Sequence, residues 1–570
     1  MTAPEGVRSM QIRRLALVLA CVVGASLLPN AGIGWAESQS VTSKDFERIH
    51  EFTKDHLGRP RQYSAGARMW LKPPKLASDE GEFAPVSRGP AFGSNVDAND
   101  PNLDLGAGQS ETAIAASGDH VMVAWNDASA FLAYLHPLDP LSATGVAYSG
   151  DGGQTFTDLI GFTNDNANQQ WSGDPAVVAI DDLHFVVGSL YFPSALANCK
   201  QGPVELTIGL QVATVTGETV SFSSPISPVN AGNLCGRRFS RSVSLLDKDF
   251  LAYDPVTRTL ALSYSRFYLD GGHSGNGQVE VARAIVPSDP KALAETDFAK
   301  PVVVWHEEPF CDYPKLPSEA SQCGALNEGA YPAVAPNGDT YVVWERNWMS
   351  NLFGGDPFVY LHAAMIPAGA TAPSVGGNAS PFVFTTGQTG ATPEGGVKSL
   401  TATQIVGYSR FIGNDFPRIA ANPSTGEVVF VWNDASRHPL GDIFLRSAAF
   451  GLGTMGPIQQ VNDDSSFALH FLPAVSVGSD GSIRTSWYDR RLSGADSAVT
   501  DYFGEIRAAA GTNGTDFRIT TGSTDWTNTG SLLNPNFGDY TDNSTTGTTT
   551  YYTWSDGRVG VPQPFVDSHS

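Results

Sequence analysis

Basic residues are scarce in this chain of 570 residues. It has 35 lysines and arginines against 58 aspartates and glutamates, so its formal net charge is −23 with histidine neutral. Binding to nucleic acid or to an anionic membrane surface needs positive charge that attracts phosphate groups. The charge balance therefore argues against both, and we predict a partner without nucleic acid.

Long apolar runs are equally scarce. The one candidate, Leu15–Leu28, follows two arginines and is too short for a good membrane span. Together with the small-x-small residues Gly34-Trp35-Ala36, this pattern is typical of a secretory signal peptide over residues 1–36. A lipoprotein site at Cys21 is the alternative. We expect a secreted or periplasmic protein with no membrane span.

Cysteine is rare, with five residues in the chain, of which Cys21 lies inside the predicted leader. An even number left in an exported protein predicts two disulfides, whose connectivity the sequence leaves open. Pairing of neighbours in sequence, Cys199 with Cys235 and Cys311 with Cys323, closes the shortest loops and is the pairing we predict. No Cys or His spacing fits a structural zinc site.

Several catalytic signatures are missing as well. The chain has no serine nucleophile elbow, no phosphate-binding loop, no dinucleotide fingerprint and no His-Glu-x-x-His spacing. We therefore predict no cofactor and no metal. Ca²⁺ stays open as an alternative, because the sequence is rich in carboxylates that this ion accepts as ligands.

Glycine and proline, by contrast, are plentiful, with 59 and 37 residues. Many turns favour β structure. A pattern of Pro, alternating apolar residues, a Gly or Asn turn, a second apolar strand and an aromatic residue recurs seven times. The anchoring aromatic residues are Trp125, Tyr191, Tyr264, Trp344, Trp432, Trp487 and Trp554.

Each repeat reads as a hairpin that cannot bury its apolar face alone. Radial stacking around an axis solves this, so we predict an all-β protein, a β-propeller over residues 106–570. Seven copies predict seven blades, or six if one weak copy is an insertion. Residues 37–105 form a predicted N-terminal extension, with a short helix over Thr42–Gly58.

One turn carries a recognisable motif, YSGDGGQTF, at residues 148–156. Its glycines can adopt positive φ, and its aspartate can accept backbone N–H groups of the turn. The pattern resembles the Asp-box, or bacterial neuraminidase repeat, of sialidases, in which the box is structural. The residues that match the box are Ser149, Asp151, Gly153, Thr155 and Phe156.

Other stretches are similar to exported bacterial sialidase-like proteins, among them residues 247–254, 441–447, 459–464 and 470–491. The resemblance spans about residues 105–565 and implies a propeller that acts as an exo-α-sialidase-like glycoside hydrolase. The Arg-Ile-Pro motif of sialidases is absent, and its nearest form, Pro417–Ala420, lies in a late repeat. No catalytic residue is carried over from the family.

Candidate site residues follow from the repeat itself. Polar residues just before each innermost strand should face the mouth of the propeller, where two carboxyl groups could catalyse glycoside hydrolysis. The alternative is that these acids cap strand starts and bond neighbouring blades. The predicted catalytic residues are Asp174, Asp247, Glu328, Asp415 and Asp539, with Glu111 and Asp249 at similar places.

Basic residues near the same positions are predicted to contact substrate, since arginine forks suit carboxylate or sulfate groups. They are Arg237, Arg238, Arg241, Lys248, His470 and Arg490. The repeated Trp-x-Asp-x-Arg ending is interpreted as structural, because a site needs one special place.

The sequence thus predicts a monomeric, exported glycoside hydrolase acting on an extracellular glycan or glycoconjugate. Two alternatives stay open. One is a non-catalytic propeller that binds glycan or protein, and the other is a propeller polysaccharide lyase.

Overall fold

The computed structural model describes residues 94–100, 108–128, 142–159, 161–162, 170–193, 205–230, 232–233, 244–268, 276–306, 325–348, 358–398, 415–494, 497–529 and 537–570. These residues form strands joined by turns and three short 3-10 turns, without an α-helix in the described ranges. The predicted signal peptide, the helix over Thr42–Gly58, all four cysteines outside the leader, and Arg237, Arg238 and Arg241 lie outside the described residues.

The strands in chain order are β1 Val96–Asp97, β2 Gln109–Ser117, β3 His120–Asp127, β4 Thr144–Ser149, β5 Thr157–Asp158, β6 Gln170–Trp171, β7 Ala176–Asp181, β8 His184–Phe192, β9 Glu205–Thr216, β10 Thr219–Phe222, β11 Gly232–Asn233, β12 Ser244–Asp254, β13 Thr259–Tyr268, β14 Asn276–Ile285, β15 Val302–Trp305, β16 Ala325–Val334, β17 Thr340–Trp348, β18 Phe358–Ile366, β19 Val397–Lys398, β20 Arg418–Ala421, β21 Val428–Asp434, β22 Asp442–Ala448, β23 Gln459–Gln460, β24 His470–Val477, β25 Ile483–Asp489, β26 Val499–Arg507, β27 Thr515–Arg518, β28 Thr524–Asp525, β29 Asp542–Thr546, β30 Thr549–Asp556 and β31 Gln563–His569. The 3-10 turns are Pro290–Ala292, Glu295–Asp297 and Phe450–Leu452.

These strands form seven antiparallel sheets, which are the blades of a propeller, and the choice between six and seven is thereby settled. In order, the blades are β2-β3-β4-β5, β7-β8-β9-β10 with β6 and β11, β12-β13-β14-β15, β16-β17-β18-β19, β20-β21-β22-β23, β24-β25-β26-β27 with β28, and β29-β30-β31-β1. The last blade is closed by β1, where Val96 pairs with Val566. The chain therefore returns to its start, and the seventh blade contains both ends of the propeller.

The second strand of each blade explains how the blades pack. In β3, Val121–Asn126 are all buried, although a sheet with one wet face would alternate. Met122 packs in a cluster with Phe185 of the next blade, while Val123 packs in a cluster with Tyr551 of the previous one. Both faces of the strand are covered by neighbouring blades, which is why the repeat reads as a continuous apolar run.

The innermost strands are interrupted near their first residues. Register shifts occur between Ser110 and Ala113, between Asp247 and Phe250, between Glu328 and Tyr331, and between Phe471 and Ala474. Such bulges re-aim side chains. Glu111, Asp174 and Lys248 have φ of 54°, 55° and 54°, a left-handed conformation that non-glycine residues adopt at a cost. The irregular backbone lies where the propeller brings its blades closest together.

Two glycines permit this close approach. A Cβ at Gly538 would lie 2.5 Å from the backbone nitrogen of Glu111, and one at Gly173 would lie 2.7 Å from the Asn126 side-chain oxygen. Both glycines also have positive φ, 79° and 86°. A side chain at either position would push one blade away from the next, so these glycines help to position the polar groups described below.

Candidate functional site

The predicted catalytic carboxyls all lie at one face, where the innermost strands begin; we call it the mouth face. They are deeply buried, since none is more than 7% exposed. Together with Glu111 and Glu345 they form a series that follows the blades around the axis, which we call the carboxyl ring. Its members are Glu111, Asp174, Asp247, Glu328, Glu345, Asp415 and Asp539.

One half of the carboxyl ring surrounds a buried lysine. The Lys248 ammonium lies 2.7 Å from Asp539, 3.4 Å from Glu111 and 3.7 Å from Asp174. The aromatic ring of Tyr540 lies 5.4 Å from the same nitrogen. The lysine predicted to contact substrate is thus fully buried among carboxylates from three other blades. A buried charge is tolerated only when it is paired in this way.

Backbone groups connect the same half of the ring from blade to blade. Glu111 accepts the Asp539 N–H at 3.2 Å, and Asp174 accepts the Lys248 N–H at 3.2 Å. Asn126 bridges the remaining gap, because its amide donates to Glu111 at 2.7 Å and accepts the Asp174 N–H at 2.6 Å. These bonds join blades seven, one, two and three at the axis.

Electrostatics set the ionisation of this half. Burial alone would raise the pKa of Asp174, but Lys248 and hydrogen bonds from Asp247 and Glu111 outweigh burial and hold that pKa at about 2. Asp174 is therefore ionised at neutral pH. The positive charge it needs comes from another blade, since Lys248 belongs to blade three and Asp174 to blade two.

The other half of the ring brings carboxyl groups next to each other. Burial, then Asp174, raises the pKa of Asp247 well above its ordinary value, with Glu328 adding to the effect. Burial, then Asp415 and Glu328, likewise raises the pKa of Glu345. Glu345 accepts the Asp415 N–H at 3.0 Å, and Asn433 donates to Asp415 at 2.6 Å. Here protons take the place that Lys248 has in the first half.

Asp249 follows Lys248 in the chain but differs from the ring members. It is fully buried, and neither carboxyl oxygen has a hydrogen-bond partner. One oxygen faces Gly188 of the preceding blade, where a Cβ would lie 3.2 Å away. Burial, then Asp174, raises the pKa of Asp249 well above its ordinary value. Asp249 is therefore a neutral carboxylic acid between two blades.

A cationic layer lies beside the ring on the axis. The Arg418 guanidinium lies 4.4 Å from the ring centre of Tyr331, 4.8 Å from that of Phe250 and 5.4 Å from that of Tyr540. These four residues and Asp542 line a cavity of about 10 Å³, which is room for about one water molecule. The cavity is too small for a sugar, so a substrate has to bind on the mouth side of this layer.

The two remaining predicted contact residues lie in blade six, away from Lys248. His470 is buried beside Asp464 and Asp489, at 3.1 and 3.5 Å from its Nε2. Arg490 is buried too, and its guanidinium donates to Thr500 and to the Ser497 carbonyl. The structure thus divides the predicted set between the ring and blade six. Phe471 stands in blade six at the register position that Asp247 and Glu328 have in their blades.

The glycine-rich turn at residues 149–156 is a hairpin between β4 and β5, far along the blade from the innermost strand. Asp151 accepts the N–H groups of Gln154 and Thr155 at 3.0 and 2.9 Å, together with the Ser149 and Thr155 hydroxyls. Gly153 has φ of 79°, and its N–H donates to the Ser149 oxygen. This aspartate organises a turn, as the sequence predicts.

The Trp-x-Asp-x-Arg endings are local structural units where they are complete. In blade six, Trp487 donates to Asp489 at 2.8 Å, and Arg491 donates to the same carboxylate at 2.8 Å. In blade seven, Trp554 donates to Asp556 at 2.7 Å, and Arg558 also bonds that carboxylate. The interpretation of this ending as structural agrees with both sets of contacts.

Three members of the site escaped sequence reasoning, namely Asn126, Glu345 and Asn433. Each directly follows the conserved-position tryptophan of its repeat, Trp125, Trp344 or Trp432. Alternation along a strand turns this residue to the face opposite the tryptophan. A polar residue after each anchoring tryptophan was therefore the available signal.

The described residues contain no group of three or more His, Cys, Asp or Glu side chains placed to hold a metal ion. Within the same residues, no helix is long and apolar enough to cross a membrane.

The fold and this site define a seven-bladed β-propeller with a ring of buried carboxyl groups at its mouth face. No known protein-family pattern matches the chain. No curated protein matches it significantly in sequence.

Solved structures do resemble it. An α-L-arabinofuranosidase from Fusarium graminearum has a TM-score of 0.41 at 12% identity, over 84% of this chain and 97% of that one. An α-L-arabinanase from Penicillium chrysogenum has a TM-score of 0.39 at 12% identity, over 84% and 98%. A Trypanosoma rangeli sialidase has a TM-score of 0.39 at 10% identity, over 74% and 58%. Function has to be argued from the residues of this chain.

Proposed function

We propose that the chain is an exported glycoside hydrolase that acts on extracellular glycans at the mouth face of its propeller. The observation that supports this most directly is the pair Asp174 and Asp247. The pKa of Asp174 is held at about 2, whereas burial raises the pKa of Asp247. Two carboxyl groups whose pKa values are pushed apart can divide the roles of acid and base.

In this proposal Asp247 is the general acid that protonates the departing glycosidic oxygen. Asp174 is the carboxylate that attacks the sugar or activates water. The two carboxyls hydrogen-bond each other in the structure, which is closer than the separation of about 5 Å or more that glycosidases use. A bound sugar therefore has to replace that contact.

The test is a screen of the mature, purified protein against sialosides, arabinosides and other glycosides. Asp247→Asn should reduce kcat by at least about 100-fold, since general acid catalysis contributes about that much. Asp174→Asn should have a comparable effect. Asp151→Asn in the outer turn is the matched control and should leave kcat unchanged. Turnover by Asp247→Asn at the rate of the unchanged protein would contradict the assignment.

A second candidate function is non-catalytic binding of glycan or protein. It is favoured by the contacts of the ring carboxyls, which accept backbone N–H groups of adjacent blades, as Glu111 and Glu345 do. If no glycoside is cleaved, while glycan binding is retained by both the unchanged protein and Asp247→Asn, this second function stands and the first is wrong.

A further inference from the structure

Blade six is the one blade whose described innermost strand places an apolar residue, Phe471, at the register position of the ring. The segment that leads into this strand, residues 461–469, runs from β23 of blade five to β24 of blade six across the mouth face. We call it the mouth strap. Its residues are part of the described structure, and its charged contacts take no part in the proposed chemistry.

The mouth strap is fastened by acidic side chains. Asp463 lies 3.1 Å from Arg491, and Asp464 lies 3.3 Å from Arg491 and 3.1 Å from the Nε2 of His470. Backbone bonds add to this, since the Asp463 N–H donates to Asp516 at 2.9 Å. Asp463 is 47% exposed, whereas Asp464 is 11% exposed. The fastening is thus at the border between the interior and solvent.

His470 faces acceptors at both ring nitrogens. Its Nδ1 lies 2.9 Å from the Gly441 carbonyl and 3.9 Å from Asp442, while its Nε2 lies near Asp464 and Asp489. A neutral imidazole has only one N–H and cannot donate on both sides. The geometry therefore requires an imidazolium with two protons.

The surroundings carry more negative than positive charge. Arg491 and His470 are the cations, and Arg491 also contacts Asp489 and Asp516, each at 2.7 Å. The carboxyl groups around these two cations are Asp442, Asp463, Asp464, Asp489 and Asp516. Arg490 is turned away toward Thr500 and Ser497. Glu505 pairs with Arg507 and adds a further negative charge near Asp463. Loss of one proton from this cluster leaves buried carboxylates without enough compensation.

Asp516 stores a second proton. Its carboxylate accepts the Asp463 N–H, and Asp463 accepts the Asp516 N–H at 3.2 Å, so the two acids lie side by side on Arg491. Burial raises the pKa of Asp516 to about 7, against Arg491, which lowers it. Strap and blade therefore meet through a carboxyl pair that ionises fully only above neutral pH.

We propose that the mouth strap is a proton-dependent fastening that loosens as the pH rises above neutral, and that it thereby controls access to the mouth face. The inference does not depend on glycoside hydrolysis. It requires only that His470 and Asp516 hold protons in the closed strap and release them when the strap opens.

The signs of the two groups agree. Burial alone would lower the pKa of His470, but Asp464 and Asp489 raise it above its ordinary value. The stabilisation from His470 is therefore complete below about pH 6.5 and is lost as the pH rises through the folded pKa. Asp516 also has a raised pKa, so its contribution is lost as the pH rises toward about 7. Both changes weaken the strap in alkali.

Hydrogen–deuterium exchange of the mature protein tests this, with rates corrected for intrinsic chemical exchange. Peptides covering the mouth strap should lose at least about tenfold of their protection between about pH 6 and about pH 9, because one pKa unit corresponds to tenfold in an equilibrium constant. The hairpin at residues 149–156 is the internal control and should keep its protection. Unchanged strap protection over that range would overturn the proposal.

Two variants make the test specific. Asp516→Asn carries a permanent amide in place of the proton and should keep the strap protected to higher pH. His470→Gln cannot be cationic and should exchange faster at low pH with a flatter pH dependence. If His470→Gln disrupts the blade, Trp487 fluorescence will show it, and Asp516→Asn still decides the matter. An Asp516→Asn protein that opens at the same pH as the unchanged protein contradicts the inference.

Discussion

The two halves of the carboxyl ring solve the same problem in different ways. Around Lys248, carboxylates are ionised and share one buried cation. From Asp247 to Asp415, acids lie beside acids, and burial raises the pKa of Asp247 and Glu345. Burial disfavours charge in both halves. The difference shows that one lysine decides which acids of a repeated position are charged.

Removal of the lysine should break the comparison most strongly. Lys248→Met leaves Glu111, Asp174 and Asp539 buried without their cation, and we expect a loss of about 3–5 kcal/mol in the free energy of unfolding at neutral pH. Denaturant unfolding measures it. The exposed Lys291→Met is the matched control and should change stability by less than about 0.5 kcal/mol. Equal stability of the two variants would show that Lys248 is not the centre of this half.

Neutral substitutions of the central acid pair should separate the two halves by pH. Asp174→Asn should cost about 2 kcal/mol at neutral pH, because a depressed pKa stabilises the fold above about pH 3.8 and this contribution is lost toward pH 2. Asp247→Asn should cost little at neutral pH. Its raised pKa means a contribution that is present in acid and lost as the pH rises, so the variant should weaken less in alkali.

The two profiles are measured by unfolding at a series of pH values. Parallel profiles for Asp174→Asn and Asp247→Asn would contradict opposite ionisation of this pair.

The smallest effect sharpens the comparison with a matched pair of glutamates. Glu345→Gln should change the free energy of unfolding by less than about 0.5 kcal/mol, since the amide oxygen can still accept the Asp415 N–H. Glu111→Gln removes a carboxylate beside Lys248 and should cost about 1–3 kcal/mol. The same denaturant measurement applies, and a larger cost at Glu345 would reverse the assignment of the two halves.

Much of the site was predictable in position and little of it in chemistry. The repeat placed Asp174, Asp247, Glu328, Asp415 and Asp539 at equivalent strand starts, and the structure brings them to one face. Asn126, Asn433 and Glu345 were missed because they sit on second strands, after a tryptophan that draws attention to itself. Lys248 was interpreted as a substrate contact, yet its contacts with three blades make it a buried counter-ion.

The sequence by itself determined the number of blades and the presence of an acid at most strand starts, because both are local patterns that repeat along the chain. Tertiary structure alone decided which acids are ionised. Lys248 meets Asp539 across 291 residues and Glu111 across 137. A pKa depends on burial and on charges within a few ångströms, and closure of the propeller is what brings those charges together.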